Sequence, residues 1–176
     1  MDFENQKLKD FLADLGSKKP TPGGGAASAL TGSSGAALVE MVARLNDART
    51  KKNSGTADLA LGLRKKLQGL IRKDARAFEK VRTAYKTRDN KQAKWQSALK
   101  GAARSPLEIC ESCRAAAALA RREAPRTSRW LESDRREALI LLRAAFESAR
   151  LNVEINLKGI DDKAFVRSCK RRLRWA

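Results

Sequence analysis

Apolar residues recur along this chain at intervals of three and four, and no alternating run of strand type interrupts them, so the pattern predicts helices throughout. The first, over residues 3–15, places Leu8, Phe11, Leu12 and Leu15 on one face. A second, over 26–46, is rich in Ala, Gly and Ser and holds Gly32 and Gly35 in its interior. An interior glycine costs about 1 kcal/mol of helix propensity, which implies that another backbone or a ligand comes close there. Residues 47–55 read as a polar loop and residues 57–86 as a third helix. A short helix over 90–102 carries Trp95 and Leu99. Ser105-Pro106-Leu107-Glu108 then reads as a capping box with proline at the first helical position, opening a helix that runs to Glu123. The stretch 124–132, with Pro125 and an exposed Trp130, is a connector.

Ser133 or a neighbour caps a further long helix, in which Leu139, Leu142, Phe146, Ala149, Val153 and Asn156 share one stripe. Gly159 is expected to end it in the left-handed conformation, with Ile160 packing back. A basic amphipathic helix from Asp162 turns Phe165, Val166, Cys169 and Leu173 inward. The expected fold is all-α. It is a single domain over 1–176, an up-and-down-like bundle of about six or seven helices with a Gly-rich loop before the second.

Two polar residues break apolar stripes. At about 100° per residue, Leu67, Leu70, Asp74, Phe78, Val81 and Tyr85 fall on one narrow face of the third helix, with Asp74 near its centre. Burial raises a carboxyl pKa toward the range useful for proton transfer, whereas a structural aspartate there is pinned by an arginine from another helix. Asn156 can donate and accept hydrogen bonds, as an amide edge of a heterocycle requires, or can fix helix register. A third feature is Lys19-Pro20-Thr21-Pro22-Gly23-Gly24-Gly25-Ala26. Its prolines fix φ, its glycines leave backbone amides bare, and the helix behind it opens with unpaired N–H groups of partial positive charge. An anionic or hydrogen-bond-accepting ligand fits such a place.

Composition narrows the chemistry. The 176 residues include no histidine, which removes the usual general base, the usual zinc ligand and any Ser-His-Asp or Cys-His pair. Three cysteines argue against a disulfide scaffold and for a reducing compartment, the cytoplasm by default. Cys110 and Cys113 form a C-x-x-C without a second pair, so they read as core neighbours on a helix, and no metal is expected. The N-terminus has neither the basic start nor the apolar middle of a signal peptide, and the uncharged run 20–39 carries too many Pro, Gly and hydroxyl residues for a membrane span. Lys and Arg number 38 against 20 Asp and Glu, a net charge of +18 that implies attraction to polyanions. No nucleic-acid motif accompanies the charge, and a solvated basic face is the plainer reading.

The Gly-rich loop resembles the signature loop of the cyclodeaminase/cyclohydrolase family of tetrahydrofolate one-carbon enzymes, small all-helical proteins related to the deaminase half of formiminotransferase-cyclodeaminase. Asp74-Ala75-Arg76-Ala77-Phe78, Ala84-Tyr85-Lys86, Ser105-Pro106-Leu107-Glu108, Ser133-Asp134 and the run from Leu151 to Lys158 resemble the family's later landmarks in the family's order, over about residues 7–162. The resemblance implies a substituted tetrahydrofolate as substrate, with no metal or redox cofactor. In one version of the reaction a folate nitrogen attacks a formimidoyl carbon and ammonia leaves. In the other, water opens the methenyl bridge to formyltetrahydrofolate. It further implies that Pro22, Gly23, Gly24 and Gly25 contact the folate, that Asp74 moves protons, and that Asp134 and Asn156 hold the pterin edge. A homodimer and an anionic polyglutamate tail on the substrate belong to the same implication; Lys158 points away from the stripe and reads as solvated. Two departures from the family pattern, Ala26 where serine is common and Arg135-Arg136 after Asp134, support the alternative of a diverged, non-catalytic member that binds nucleic acid or another acidic partner through its basic face.

Overall fold

A computed structural model describes residues 6–86 and 91–175. Six α-helices make up the described chain: α1 (Leu8–Leu15), α2 (Gly24–Thr50), α3 (Thr56–Tyr85), α4 (Gln92–Glu123), α5 (Glu132–Leu157) and α6 (Lys163–Arg172), with one 3₁₀ turn at Ala124–Arg126. The four long helices run up and down in sequence order. Each pair of sequence neighbours is antiparallel: Gly25 meets Asp74 where Gly32 meets Leu67, Thr56 bonds Arg122 where Lys73 bonds Glu108, and Ala102 bonds Asn156 where Cys110 bonds Phe146. α2 packs against α3 and α5, and α4 closes the bundle on the far side while still touching α2.

The small residues of α2 explain that close diagonal contact. A Cβ on Gly35 would stand 2.8 Å from Leu142 Cγ, and one on Gly32 would stand 2.8 Å from Cys113 Sγ. The approach anticipated for these glycines is therefore made by side chains of α4 and α5. Around them Val39, Leu67, Ile109, Leu142 and Phe146 form the buried core. A second cluster of Leu99, Leu107, Val153, Leu157, Ile160 and Cys169 seats α6 against α4 and α5. Asp162 caps α6, accepting from the Phe165 N–H at 2.9 Å.

Several expected boundaries shift. α2 begins two residues earlier, at Gly24, and continues through 47–50, which were expected in a loop. Its polar last turn is held by tertiary bonds: Arg126 donates to Asp47 Oδ1 at 2.6 Å and to Thr50 Oγ1 at 3.1 Å. The helix then ends at Lys51, with φ 53°, and the connection closes at Gly55, with φ 68°. The capping-box reading of Ser105 and Glu108 is overturned, because α4 is continuous and Pro106 lies inside it. Proline has no N–H for the carbonyl four residues back, that of Ala102. Asn156 Nδ2 donates to this carbonyl instead, at 3.2 Å, while Ser105 is fully buried and Glu108 pairs with Lys73.

Other corrections are local. α5 opens after Leu131 without a side-chain cap, so neither Ser133 nor a neighbour serves as one. Gly159 is not left-handed; its Cα faces Leu99, and Ile160 does pack back into the core. In α1 only Phe11 is buried, while Leu8 and Leu12 are exposed, since the short helix touches the bundle along one edge. Positions 3–5 of the expected first helix, and residue 90 of the expected fourth, lie outside the described residues. No helix among the described residues is long and apolar enough to cross a membrane.

Candidate active site

The first turn of α2 lacks a cap of its own: Gly23 stands at the N-cap position with no side chain to offer. Asp74, reaching across from the middle of α3, takes that role by accepting from the Ala26 N–H. The carboxylate lies so close that a Cβ on Gly25 would stand 2.3 Å from Asp74 Oδ1 and 2.4 Å from Oδ2. Glycine is the residue that fits there. Burial pushes the Asp74 carboxyl up to about 6, against the opposing pull of the Ala26 hydrogen bond. No cation among the described residues pairs with it, so the alternative of an arginine-pinned structural aspartate is not met. A free acid near neutrality at a positive helix end can both take and return a proton.

The turn before this helix is tucked in. Thr21 and Pro22 are buried across a cis peptide bond, and Gly25 and Ala26 are buried behind them, while the Gly24 backbone is exposed. Exposure of bare backbone beside a half-buried acid leaves room for a ligand to meet both. Ser28 Oγ donates to the Gly24 carbonyl at 2.7 Å and lies 2.8 Å from Ser148 Oγ, tying this turn to α5.

Asn152 of α5 is the residue whose place was not anticipated. Its side-chain amide lies 3.6 Å from the point where a Gly24 Cβ would be, and its Nδ2 donates to Ser148 O at 3.1 Å. One turn beyond Asp74, Phe78 is 44% exposed, and Tyr85 is 56% exposed further along the same face. Along this stripe Leu67 and Leu70 are buried and Val81 packs against the second cluster, while Phe78 and Tyr85 are exposed where α3 continues past the point at which α2 begins. The signal for Asn152 was its spacing of four from Asn156, which puts two amides on one face of a helix.

Asn156 and Asp134 stand differently. Both N–H groups of the Asn156 amide are engaged, one with Ala102 O and one with Asn152 O at 2.9 Å. Asp134 is in the first turn of α5, about 27 Å along the axis from Asn152 at 1.5 Å rise per residue, so one chain does not bring it to the Gly-rich turn. The neighbouring Arg135 and Arg136 both bind Glu132, and these bonds hold the Glu132 carboxyl down at about 2. Lys158 is exposed. Cys110 and Cys113 are buried thiols pushed up to about 12 by desolvation, and no cluster of metal-ligating side chains occurs among the described residues.

These features define a class: a small helical bundle with a raised carboxylate from one helix set at the N-terminus of another that has no cap of its own. The family model described as formiminotransferase-cyclodeaminase matches residues 7–174, and the chain belongs to that family. It is 41% identical over 174 residues to a methenyltetrahydrofolate cyclohydrolase of Methylorubrum extorquens, covering 92% of this chain and 84% of that protein. It is 29% identical to the formimidoyltransferase-cyclodeaminase of Sus scrofa over 96% of this chain, which spans 34% of that longer protein. Among solved structures it resembles the formiminotetrahydrofolate cyclodeaminase of Thermotoga maritima, with a TM-score of 0.87 and 34% identity over 97% of this chain and 87% of that one.

Proposed function

We propose that this protein is a folate-dependent one-carbon enzyme that acts at the bridge between two nitrogens of a substituted tetrahydrofolate, with Asp74 as its proton shuttle. The observation that carries the reading is the Asp74 carboxyl, raised to about 6 and held within contact of the bare Gly25 backbone. The relatives' names supply the substrate class. Cyclohydrolase is the first reaction to assay, since the 41% identical relative bears that name; cyclodeaminase is the second.

In the cyclohydrolase direction, ionised Asp74 takes a proton from the water that attacks the methenyl carbon. The tetrahedral adduct then opens as one carbon–nitrogen bond breaks: Asp74 returns its proton to the departing nitrogen, and the adduct's hydroxyl gives up its own proton to solvent as it becomes the formyl carbonyl. In the cyclodeaminase direction, the same carboxylate takes the proton of the attacking folate nitrogen and delivers it to the amine that leaves as ammonia. Either sequence uses one acid in both forms, which a pKa near 6 permits. Neither step draws on a metal or redox cofactor. Backbone amides of Gly23, Gly24 and Gly25, with Pro22 shaping the turn, hold an acceptor edge of the substrate, and Asn152 lines the opposite wall.

The enzyme works as a homodimer. Ile140, Leu151 and Ile155 are each more than 60% exposed and fall on one line of α5. This line borders α2, where Leu45 is also exposed. Two copies packed antiparallel on this face would set the start of one α5, with Asp134, opposite the Gly-rich turn of the other. The three free cysteines suit the reducing cytoplasm. A second reading, a non-catalytic member that binds an acidic partner, is favoured by the excess of basic side chains and by Ala26 in the place where serine is common.

Turnover of methenyltetrahydrofolate, followed by loss of its near-ultraviolet absorbance, tests the proposal. Wild-type turnover abolished by Asp74→Asn is the expected outcome, and an unaffected variant would remove Asp74 from the chemistry.

A further inference from the structure

Aromatic rings among the described residues have partners, with one exception. Tyr85 meets Trp95 edge-on at 5.9 Å, and Phe146 meets Trp175 at 5.0 Å. Phe165 lies beneath Lys100 and Arg104, and Trp130 beneath Arg129. Phe11 is buried in the core. Phe78 has neither a ring nor a cation against it, and 44% of it is open to solvent.

This ring follows Asp74 by four residues on α3, which sets the two Cβ atoms about 5–6 Å apart and about 40° from one another on the same face. Because α3 runs antiparallel to α2, with Gly32 against Leu67 and Gly25 against Asp74, Phe78 comes level with the turn that precedes α2. No part of that helix extends far enough to cover it. The neighbouring carboxylate accepts from the Ala26 N–H but is matched with no cation among the described residues. A carboxylate and an open ring face therefore stand side by side, and both attract positive charge at contact, the first by its charge and the second by its quadrupole. In a chain of net charge +18, which repels a cationic group at long range, such short-range attraction is what a place for one requires.

We propose, on the folate reading above, that Phe78 is a specificity residue whose ring face receives the substrate's amidinium cation beside Asp74. A methenyl bridge and a protonated formimidoyl group have one feature in common: a carbon between two nitrogens that share a positive charge. A formyl group is uncharged at that carbon. Ring and substrate attract one another most before the carbon is attacked, and the cationic part of that attraction is gone once the formyl product forms. Phe78 thus selects the charged folate over uncharged folates of similar outline. Since the contact belongs to the bound ground state, its removal raises KM and does not lower kcat.

The test sets Phe78→Leu and Phe78→Tyr beside wild type, with methenyltetrahydrofolate as the substrate turned over and 5-formyltetrahydrofolate, uncharged at the bridge, as a competing ligand. Phe78→Leu is expected to raise KM for the methenyl substrate at least about fivefold and to leave the inhibition constant of the formyl ligand within about twofold. Phe78→Tyr, which keeps a ring face, is expected to hold KM near the wild-type value. Thermal melts of the three proteins should agree, since the ring is largely open to solvent. An unchanged KM in Phe78→Leu would overturn the assignment, and so would an equal loss for the charged and uncharged folates. Ligand-observed NMR with benzamidinium and with benzamide reads the same place without a folate: wild type should prefer the cation, and Phe78→Leu should lose that preference. A wild-type protein with no folate turnover would defeat the folate reading alone. The benzamidinium comparison would then decide Phe78, and equal binding of the two probes to wild type would overturn its role.

Discussion

Gly25 and Asp74 occupy one another's space to the limit: the position a Gly25 Cβ would take is 2.3 Å from Asp74 Oδ1. Alanine is otherwise the better residue in a helix by about 1 kcal/mol, so a Gly25→Ala variant of an unconstrained first turn would gain stability. Here the carboxylate must move, and the Ala26 N–H loses its acceptor. The expected outcome is a lower melting temperature and a fall in kcat/KM of at least about a hundredfold, the size of a lost acid–base contribution. Pairing Gly25→Ala with Asp74→Ala isolates the contact, because the stability loss should largely vanish once the carboxylate is gone. A loss of equal size in both backgrounds would place the constraint elsewhere.

The raised pKa of Asp74 makes stability and activity run in opposite directions with pH. The folded carboxyl titrates near 6 against an ordinary value of 3.8, so between these values the folded state binds more protons than the unfolded one. Stability from this group is therefore full below about pH 4, falls as pH rises toward 6 and is lost above it, by up to about 3 kcal/mol. Asp74→Asn should be more stable than wild type at pH 8 by a similar amount and no more stable at pH 4, read by denaturant unfolding. Activity should rise through the same pH window as the base ionises, and the variant should have none. A wild-type rate that is flat from pH 5 to 8 would show that Asp74 is not the base.

Helix periodicity carried most of the fold because the core faces of the four long helices bury their apolar residues locally. The misread positions share one cause. At 47–50 and at Ser105-Pro106 the chain has the residues of a loop and of a helix start, yet a side chain distant in sequence supplies the missing bonds. Arg126 does so for the end of α2, and Asn156 for the proline turn of α4. Local turn chemistry does not register such partners. Asp74 was visible as a carboxylate within an apolar stripe, and the structure sets it against the Gly-rich turn singled out beside it. Asn152 was not, since its nearness to Gly24 arises only when α2 and α5 pack.

That bond between Asn156 and Ala102 separates a positioning role from substrate contact. Asn156→Leu leaves the Ala102 carbonyl of α4 without its donor and should cost about 1–3 kcal/mol, the usual penalty of an unpaired buried polar group. Pro106→Ala restores an N–H four residues after Ala102, so adding it to Asn156→Leu should recover most of that stability. If Asn156 only positions α4 and α5, the double variant also recovers kcat and KM. A raised KM that persists after stability is restored would instead put the Asn156 amide on the substrate.

Asp134 stands at the opposite end of α5 from Asn152, away from the Gly-rich turn of its own chain. Antiparallel pairing of two α5 faces through Ile140, Leu151 and Ile155 would make it a residue of the neighbouring copy's site. Under that arrangement Asp74→Asn and Asp134→Asn homodimers are each inactive, for different reasons. Mixing them after mild dissociation yields heterodimers in which one site carries both substitutions and the other carries neither. Random reassortment makes half the dimers mixed, so activity should return to about a quarter of wild type, as an isologous interface requires. Light scattering should report dimers throughout, and Leu151→Asp should give monomers that show no recovery. Full activity in Asp134→Asn alone would remove this residue from the site, while dimers that remix without recovering activity would place Asp134 outside the neighbour's site.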